Sequence, residues 1–218
     1  MCLGDALQGG AQPADVVRLL REHGWPIVLG NADDFLRDAD AGAEVPTDRQ
    51  LDVRAWTREQ LGADGLAFMD TFEPTIRLDL GEGRTLLAFH GSPASYDDII
   101  LPTAEEDEFR HLVGPPVADV LTGGHIHRQW LRRYGDSVFV NPGSVGLAYD
   151  HAQLEDSPQD LRSDPFAEYA RIDVDRDRFE IAFRRVPFEP DAVLAAIDAS
   201  GMPHADAARG QWRLPGDS

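Results

Sequence analysis

The stretch Thr122-Gly123-Gly124-His125-Ile126-His127 follows a short apolar run, Val120-Leu121, and precedes Arg128-Gln129-Trp130. Two imidazoles one residue apart, preceded by two glycines, sit where a strand would end. On an extended chain, alternation puts such a pair on one side, so both nitrogens can reach into one pocket. Alone, the pair reads as two polar residues in a turn. Partners elsewhere in the chain would make it the head of a metal site.

The chain around it has 218 residues, enough for one domain with a sizeable core. A single cysteine, Cys2, excludes an intrachain disulfide framework and any multi-cysteine zinc or iron-sulfur site, so His, Asp and Asn would have to hold a metal. All 20 basic residues are Arg, which rules out a P-loop lysine, a Schiff-base lysine and a Ser-Lys pair. The formal charge of −19, from 39 acidic and 20 basic residues, repels bulk nucleic acid over most of the surface. No apolar run approaches the roughly 18 to 20 residues of a membrane span, and no N-terminal pattern reads as a signal peptide. The expectation is a cytoplasmic protein with no membrane partner.

Outward from the His pair, apolar runs repeatedly end on polar residues. The chain opens with a very short run ending at Gly4-Asp5. Val16, Val17, Leu19 and Leu20 fall at helical spacing between Pro13 and Gly24, and Pro26-Ile27-Val28-Leu29 reads as a buried strand ending at Gly30-Asn31-Ala32-Asp33. Residues 34–45 read as a loop or frayed helix. A capping pattern at Thr47-Asp48-Arg49-Gln50 starts a helix to about Leu61, with another over Leu66–Phe72. Thr75–Leu80 and Thr85–Phe89 read as a hairpin whose second strand delivers His90. A helix is expected over Thr103–Val113, a strand over Val117–Leu121, and a hairpin over Trp130–Tyr134 and Ser137–Val140, closing on Asn141-Pro142-Gly143-Ser144. Residues 150–165 read as a loop, Tyr169–Val174 and Phe179–Val186 as a last hairpin, and Pro190–Ala199 as a closing helix. One domain over 1–200 is expected, with a weakly patterned tail over 201–218.

Open α/β sheets place their sites at the carboxyl ends of strands, so Asp5, Asn31, His90 and the His125/His127 head could share one crevice. The words Gly4-Asp5, Gly30-Asn31-x-Asp33, His90-Gly91 and Gly124-His125-x-His127, in that order, resemble the calcineurin-like metallophosphoesterase superfamily, in particular its small bacterial and archaeal single-domain members. The resemblance runs from residue 1 to about 190. It implies a four-layer α/β/β/α sandwich of two mixed sheets flanked by helices, and two divalent metal ions, for which manganese, iron, zinc or similar ions suit the mixed O/N ligand set. It also implies that Asp5 bridges the metals, that Asn31, His90 and His125 complete the second site, and that His127 serves the first. Asp5, Asn31 and His90 would then be catalytic. Two ions about 3.5 to 4 Å apart clamp a phosphoryl group, and a metal-bridged hydroxide attacks phosphorus.

Two departures stand out. The family's Asp-x-His motif, upstream of Gly-Asp, is absent from this sequence. The expectation is that Met1 is an internal start and that in-frame DNA upstream encodes an apolar strand ending in Asp-x-His. The family's Gly-Asn-His-Asp is here Gly30-Asn31-Ala32-Asp33, which vacates the acid role and favours substrates with good leaving groups, such as aryl or nucleotide esters. His23, His111, His151 and His204 are read as non-ligands, Trp25, Trp56, Trp130 and Trp212 as packing residues, and Asn141–Ser144 as the rim of the site. The resulting expectation is a metal-dependent phosphoesterase, a phosphatase or phosphodiesterase acting on a small phosphorylated substrate. Its rival is a catalytically silent member serving as a protein-binding scaffold, as in retromer-type relatives, or as a single-metal phosphate binder.

Overall fold

The structure, a computed structural model, describes residues 1–40, 45–149, 162–176 and 178–212. The loop expected over 150–165 therefore falls almost wholly outside the described residues, as does His151. Five strands form the central sheet: β1 (Thr75–Gly81), β2 (Arg84–Phe89), β3 (Val120–Thr122), β4 (Gln129–Tyr134) and β5 (Ser137–Pro142), in the order β1-β2-β3-β5-β4. The inner three run parallel, while β1 and β4 lie antiparallel at the edges. Strands covered on both faces need apolar side chains on both. That is why Leu86-Leu87-Ala88-Phe89 and Val138-Phe139-Val140 are continuous apolar runs rather than alternating ones.

Each face of the sheet has its own cover. Helix α4 (Glu106–Val113) seats the fully buried Phe109 on one face, its ring edge-on to Trp130, Tyr134 and Phe139. The other face, with Ile76, Leu86, Ala88, Val120, Val138 and Val140, packs against the long hairpin β8 (Phe166–Asp175) and β9 (Arg178–Pro187) through Ala170, Ile172, Ile181 and Phe183. Two short strands, β6 (Ala148–Tyr149) and β7 (Ser163–Asp164), form a small antiparallel pair. The architecture is thus a mixed sheet flanked by helices, with a second sheet layer laid on it.

The N-terminal segments meet through single parallel bridges, Cys2 to Ile27 and Val28 to Glu73, instead of full strands. Helices α1 (Pro13–His23), α2 (Asn31–Arg37) and α3 (Asp48–Met69) cover this edge, with Leu7, Val17, Leu20, Leu29, Leu36, Leu61 and Met69 as its core. Gly24, left-handed at φ 61°, stops α1 as the sequence indicates. Of the loop or frayed helix expected over 34–45, residues 34–37 are helical, as the end of a helix that starts at Asn31, inside the motif. The two helices expected over 47–61 and 66–72 are one interrupted element: Gly62, at φ 58°, breaks it without ending it.

Three boundaries move. Helix α4 begins at Glu106 instead of Thr103, and β3 begins at Val120 because Val117, half-exposed after Pro115-Pro116, stays out of the sheet. Residues 201–212, weakly patterned in sequence, carry helix α6 (Ala205–Arg209) after α5 (Pro190–Ser200), and Met202 and Trp212 join Ile197 in a satellite core. Among the described residues no helix is long and apolar enough to cross a membrane.

Candidate metal centre

Asp5, His90 and His125 bring one ligand atom each to within 4.8 Å of one another. His90 is the hinge of the arrangement. It leaves the end of β2, 2% exposed, and its Nδ1 sits 2.6 Å from the Leu3 carbonyl, so Nδ1 carries a proton and Nε2 points inward. Around that Nε2, each at 3.1 Å, lie Asp5 Oδ2, Asn31 Oδ1 and His125 Nδ1. Four of the five candidate residues thus converge although they are far apart in sequence; His90 and His125 follow the full strands β2 and β3, whereas Asp5 and Asn31 follow segments joined only by single bridges.

The backbone that delivers them is strained and closely packed. Five non-glycine residues have positive φ among the described residues, and three of them are Asp5 (53°), His125 (66°) and His127 (56°). Such conformations cost on the order of 1–3 kcal/mol each and persist only where the surroundings enforce them. Here the enforcement is visible. Ala32 N–H, at the start of α2, donates to Asp5 Oδ1 at 2.8 Å. A Cβ on Gly30 would lie 2.1 Å from that same oxygen, so only glycine permits the approach.

The histidine pair departs from the strand-like reading. With both residues at positive φ the loop is not extended, and alternation does not apply. His125 joins the His90 cluster, whereas His127 stacks on Tyr149, rings 5.4 Å apart and 18° from parallel. Among the described residues, His127 Nδ1 is buried with no hydrogen-bond partner. The Leu147 carbonyl and Asp5 are close enough to act on the ring electrostatically.

Electrostatics hold Asp5, His125 and His127 in ligand form and favour a proton on His90. Burial pushes Asp5 up, but the hydrogen bond and charge of His90, with the Ala32 N–H, outweigh it and hold the carboxyl below its ordinary range. Burial pulls His90 down, and Asp5 and the Leu3 carbonyl overcome that pull, raising it. His125 and His127 are both lowered, chiefly by burial and with a further push from His90, so both favour the neutral, lone-pair-bearing form that binds metals. The donor set fits a divalent cation. Asp5 and Asn31 offer acceptor oxygens, two neutral imidazoles offer nitrogens, and a single proton on His90 Nε2 cannot satisfy them all.

The sequence indicated Asp33 only as part of a motif; the structure gives it a task. Fully buried, it accepts from Ala6, Leu7 and Gly30 N–H groups and so pins the loop that carries Asp5. Burial and the neighbouring Asp5 charge raise it to about 6 against those hydrogen bonds. The rim motif also braces the centre. Asn141 Nδ2 donates to the Gly124 carbonyl at 2.6 Å, while Gly124 N–H donates to the His90 carbonyl at 2.8 Å. Among the other histidines, His23 stacks on Trp25 and His204 pairs with Asp52, so neither joins the cluster. Trp130 and Trp212 are buried packing residues, whereas Trp25 is about half-exposed.

A cluster of this composition at sheet ends, on a layered α/β scaffold, defines a metallophosphoesterase-type protein. The model of the calcineurin-like phosphoesterase superfamily domain matches residues 1–157, and the chain belongs to that superfamily. It is 23% identical over 164 residues to an uncharacterised protein of Methanocaldococcus jannaschii; the match covers 70% of this chain and 60% of that protein, so the chain spans less than two thirds of that relative. In fold it is similar to a hypothetical protein from Pyrococcus horikoshii OT3 (TM-score 0.71, 17% identity, covering 95% of this chain and 81% of that one). It is also similar to a metallophosphoesterase from Sphaerobacter thermophilus (TM-score 0.66, 21% identity, covering 95% and 85%).

Proposed function

We propose that this chain is a metal-dependent phosphoesterase that hydrolyses a small phosphomonoester or phosphodiester, with Asp5, Asn31, His90, His125 and His127 as metal ligands. The observation that carries this reading is the equal 3.1 Å approach of Asp5, Asn31 and His125 to His90 Nε2. A single Nε2 proton on His90 serves only one of these three acceptors at a time, whereas a carboxylate oxygen, an amide oxygen and two imidazole nitrogens are together a donor set that a divalent ion takes. A bound divalent ion, manganese, iron or zinc by its donor preferences, supplies Lewis-acid activation of the phosphoryl group and of water.

The chain's own residues do the rest. His90 is oriented by the Leu3 carbonyl, which fixes its tautomer and presents Nε2 to the site. Asp5, at 20% side-chain exposure, is the more accessible member of the pair, while His90, at 2%, is buried. His127 extends the centre on the Tyr149 side, where a second ion would find Asp5 and His127. Ala32 contributes its N–H to Asp5 but no proton donor to a leaving group, so the reading favours esters whose leaving oxygen departs without help. The partner is a small phosphorylated substrate, not bulk nucleic acid, in keeping with the −19 charge.

The test is metal content and turnover together. The purified chain should retain a divalent ion and hydrolyse an aryl phosphodiester when manganese is supplied. A chain that binds no ion and turns over no ester leaves the silent scaffold as the standing explanation.

A further inference from the structure

A cavity of about 280 Å³ opens beside the segment that follows β2, and its walls include Pro74, Ser92, Pro93, Tyr96 and Asp97. Ser92 is two residues beyond His90, at most about 7 Å of chain. The segment folds tightly back beside the metal centre. A Cβ on Gly91, next to His90, would lie 2.6 to 2.8 Å from the carbonyl oxygens of Ser95, Tyr96 and Asp98, so the approach requires glycine. Ser92, 3% exposed, locks the turn: its hydroxyl donates to Asp98 Oδ2 at 2.5 Å and accepts from the Ala94 and Ser95 N–H groups at 3.1 Å. The charge on the walls is one-sided. Among the described residues Asp97, which is exposed, is the only charged one that lines the cavity, and no Arg or His does. Burial and the charge of His90 lower His125, and Asp5, Asp97 and Asp98 act against them, so the carboxylate on the wall is within electrostatic reach of the metal centre.

We propose that this cavity takes the organic arm of the phosphorylated substrate and that Asp97 sorts such arms by charge, admitting a neutral or cationic arm and rejecting one that carries a second anion. The inference rests on the phosphoesterase reading above and adds a specificity-determining residue to it. Pro74, Pro93 and Tyr96 supply apolar contact for a short arm whose phosphate stays at the metal centre. The space is just under the roughly 300 Å³ at which pockets for drug-sized ligands begin, so the arm is a small one. A carboxylate on walls that carry no cation opposes a second anion placed within a few ångströms. Water screens an exposed group, so the discrimination is several-fold and falls as salt is added. The formal charge of −19 also repels anions, but that field is spread over the surface and does not hang on one residue. Asp97 acts on one arm at one place, and this separates its effect from the general field.

Calorimetry on the manganese-supplied chain compares three phosphates with arms of equal length: 3-aminopropyl phosphate, butyl phosphate and 2-carboxyethyl phosphate. The aminopropyl ester should bind about ten-fold more tightly than the carboxyethyl ester, with the butyl ester between them. Asp97→Asn, which keeps the shape and removes the charge, should cut that ratio to about three-fold or less, the remainder being the general field. Asp136→Asn removes the same charge from the turn between β4 and β5, at the end of the sheet away from Asn141, and should leave the ranking as it was. Three equal affinities in the unmodified chain, binding of none of the three, a ratio that survives Asp97→Asn, or one that Asp136→Asn reduces as much overturns the proposal. If the ranking appears and depends on Asp97 while the chain turns over no aryl ester, the phosphoesterase reading falls and the charge selection stands.

Discussion

His125 and His127 leave one loop for unlike surroundings. On the His90 side, Nδ1 of His125 meets a ring whose other nitrogen is held by the Leu3 carbonyl, beside a carboxylate held by the Ala32 N–H. On the Tyr149 side, His127 is held by a ring stack and keeps a buried Nδ1 without a hydrogen bond among the described residues. The first half is organised by hydrogen bonds that fix direction. The second is organised by packing that fixes a plane and leaves the lone pair uncommitted. Preorganisation is therefore greatest where four ligand-type residues meet, and the Asp5–His90 pair should dominate both metal retention and rate.

The strongest way to break the comparison is to wreck the His90 side from its backbone. Gly30→Ala puts a methyl 2.1 Å from Asp5 Oδ1 and 2.4 Å from Asp5 N, and the latter is main chain that cannot swing away. Chemical denaturation should show a loss of about 3 kcal/mol or more, at the upper end of overpacking effects, together with loss of bound metal. An unchanged midpoint with full metal content would mean that the tight Gly30–Asp5 approach is not needed. A milder break keeps the backbone and changes only charge. Asp5→Asn should lower kcat/KM about 10³-fold, whereas His127→Ala should cost no more than about 10²-fold; steady-state assays that find the opposite order would put the dominant ion on the Tyr149 side.

The sharpening test between these extremes concerns Ala32. Its N–H already serves Asp5, and a side chain added there leaves that bond in place. Ala32→His should raise turnover of an alkyl phosphate by about 10²-fold and leave an aryl ester little changed, since only the poor leaving group needs a proton. Equal gains on both esters would point to improved binding instead of acid catalysis.

Much of this was legible in the chain because strand ends announce themselves. Apolar runs closing on Asp5, Asn31, His90 and His125 suggest a shared crevice under the rule that open sheets gather their sites at one end, and the order of the motif words supplies the ligand set through the family resemblance. The parts that were not legible depend on contacts distant in sequence. Nothing local to Asn31–Arg37 decides between a loop and a frayed helix, because the helix is fixed by Asp33 reaching back to residues 6 and 7. The divergence of His125 and His127 was hidden for a related reason. Alternation presumes an extended backbone, and both residues are held left-handed by neighbours that sequence spacing does not specify. Residues 201–212 lack a strong periodic pattern because they pack as a patch: Met202 and Trp212 are buried among residues of α5 and of the distant positions 11, 56 and 147.

Asn141 gives the finest test of how rigid the His90 side must be. It touches no ligand. Its Nδ2 donates to the Gly124 carbonyl, its Oδ1 accepts from Gly143 N–H, and Gly124 in turn donates to the carbonyl of His90 itself. Removing the amide releases the Gly124 carbonyl, while Gly123 N–H stays bonded to the Val140 carbonyl of β5 and every ligand atom stays in the chain. Buried at 2% exposure, the site also loses a hydrogen-bonded group that no solvent replaces. Asn141→Ala should therefore lower metal affinity by about 10-fold and cost about 1–3 kcal/mol in stability. Asn141→Asp should restore the acceptor toward Gly143 but not the donor toward Gly124, so it should recover little of the metal affinity. Competition with a chelator reads both variants, and full recovery in Asn141→Asp would show that the brace works through Gly143 and the rim instead of through Gly124 and the histidine loop.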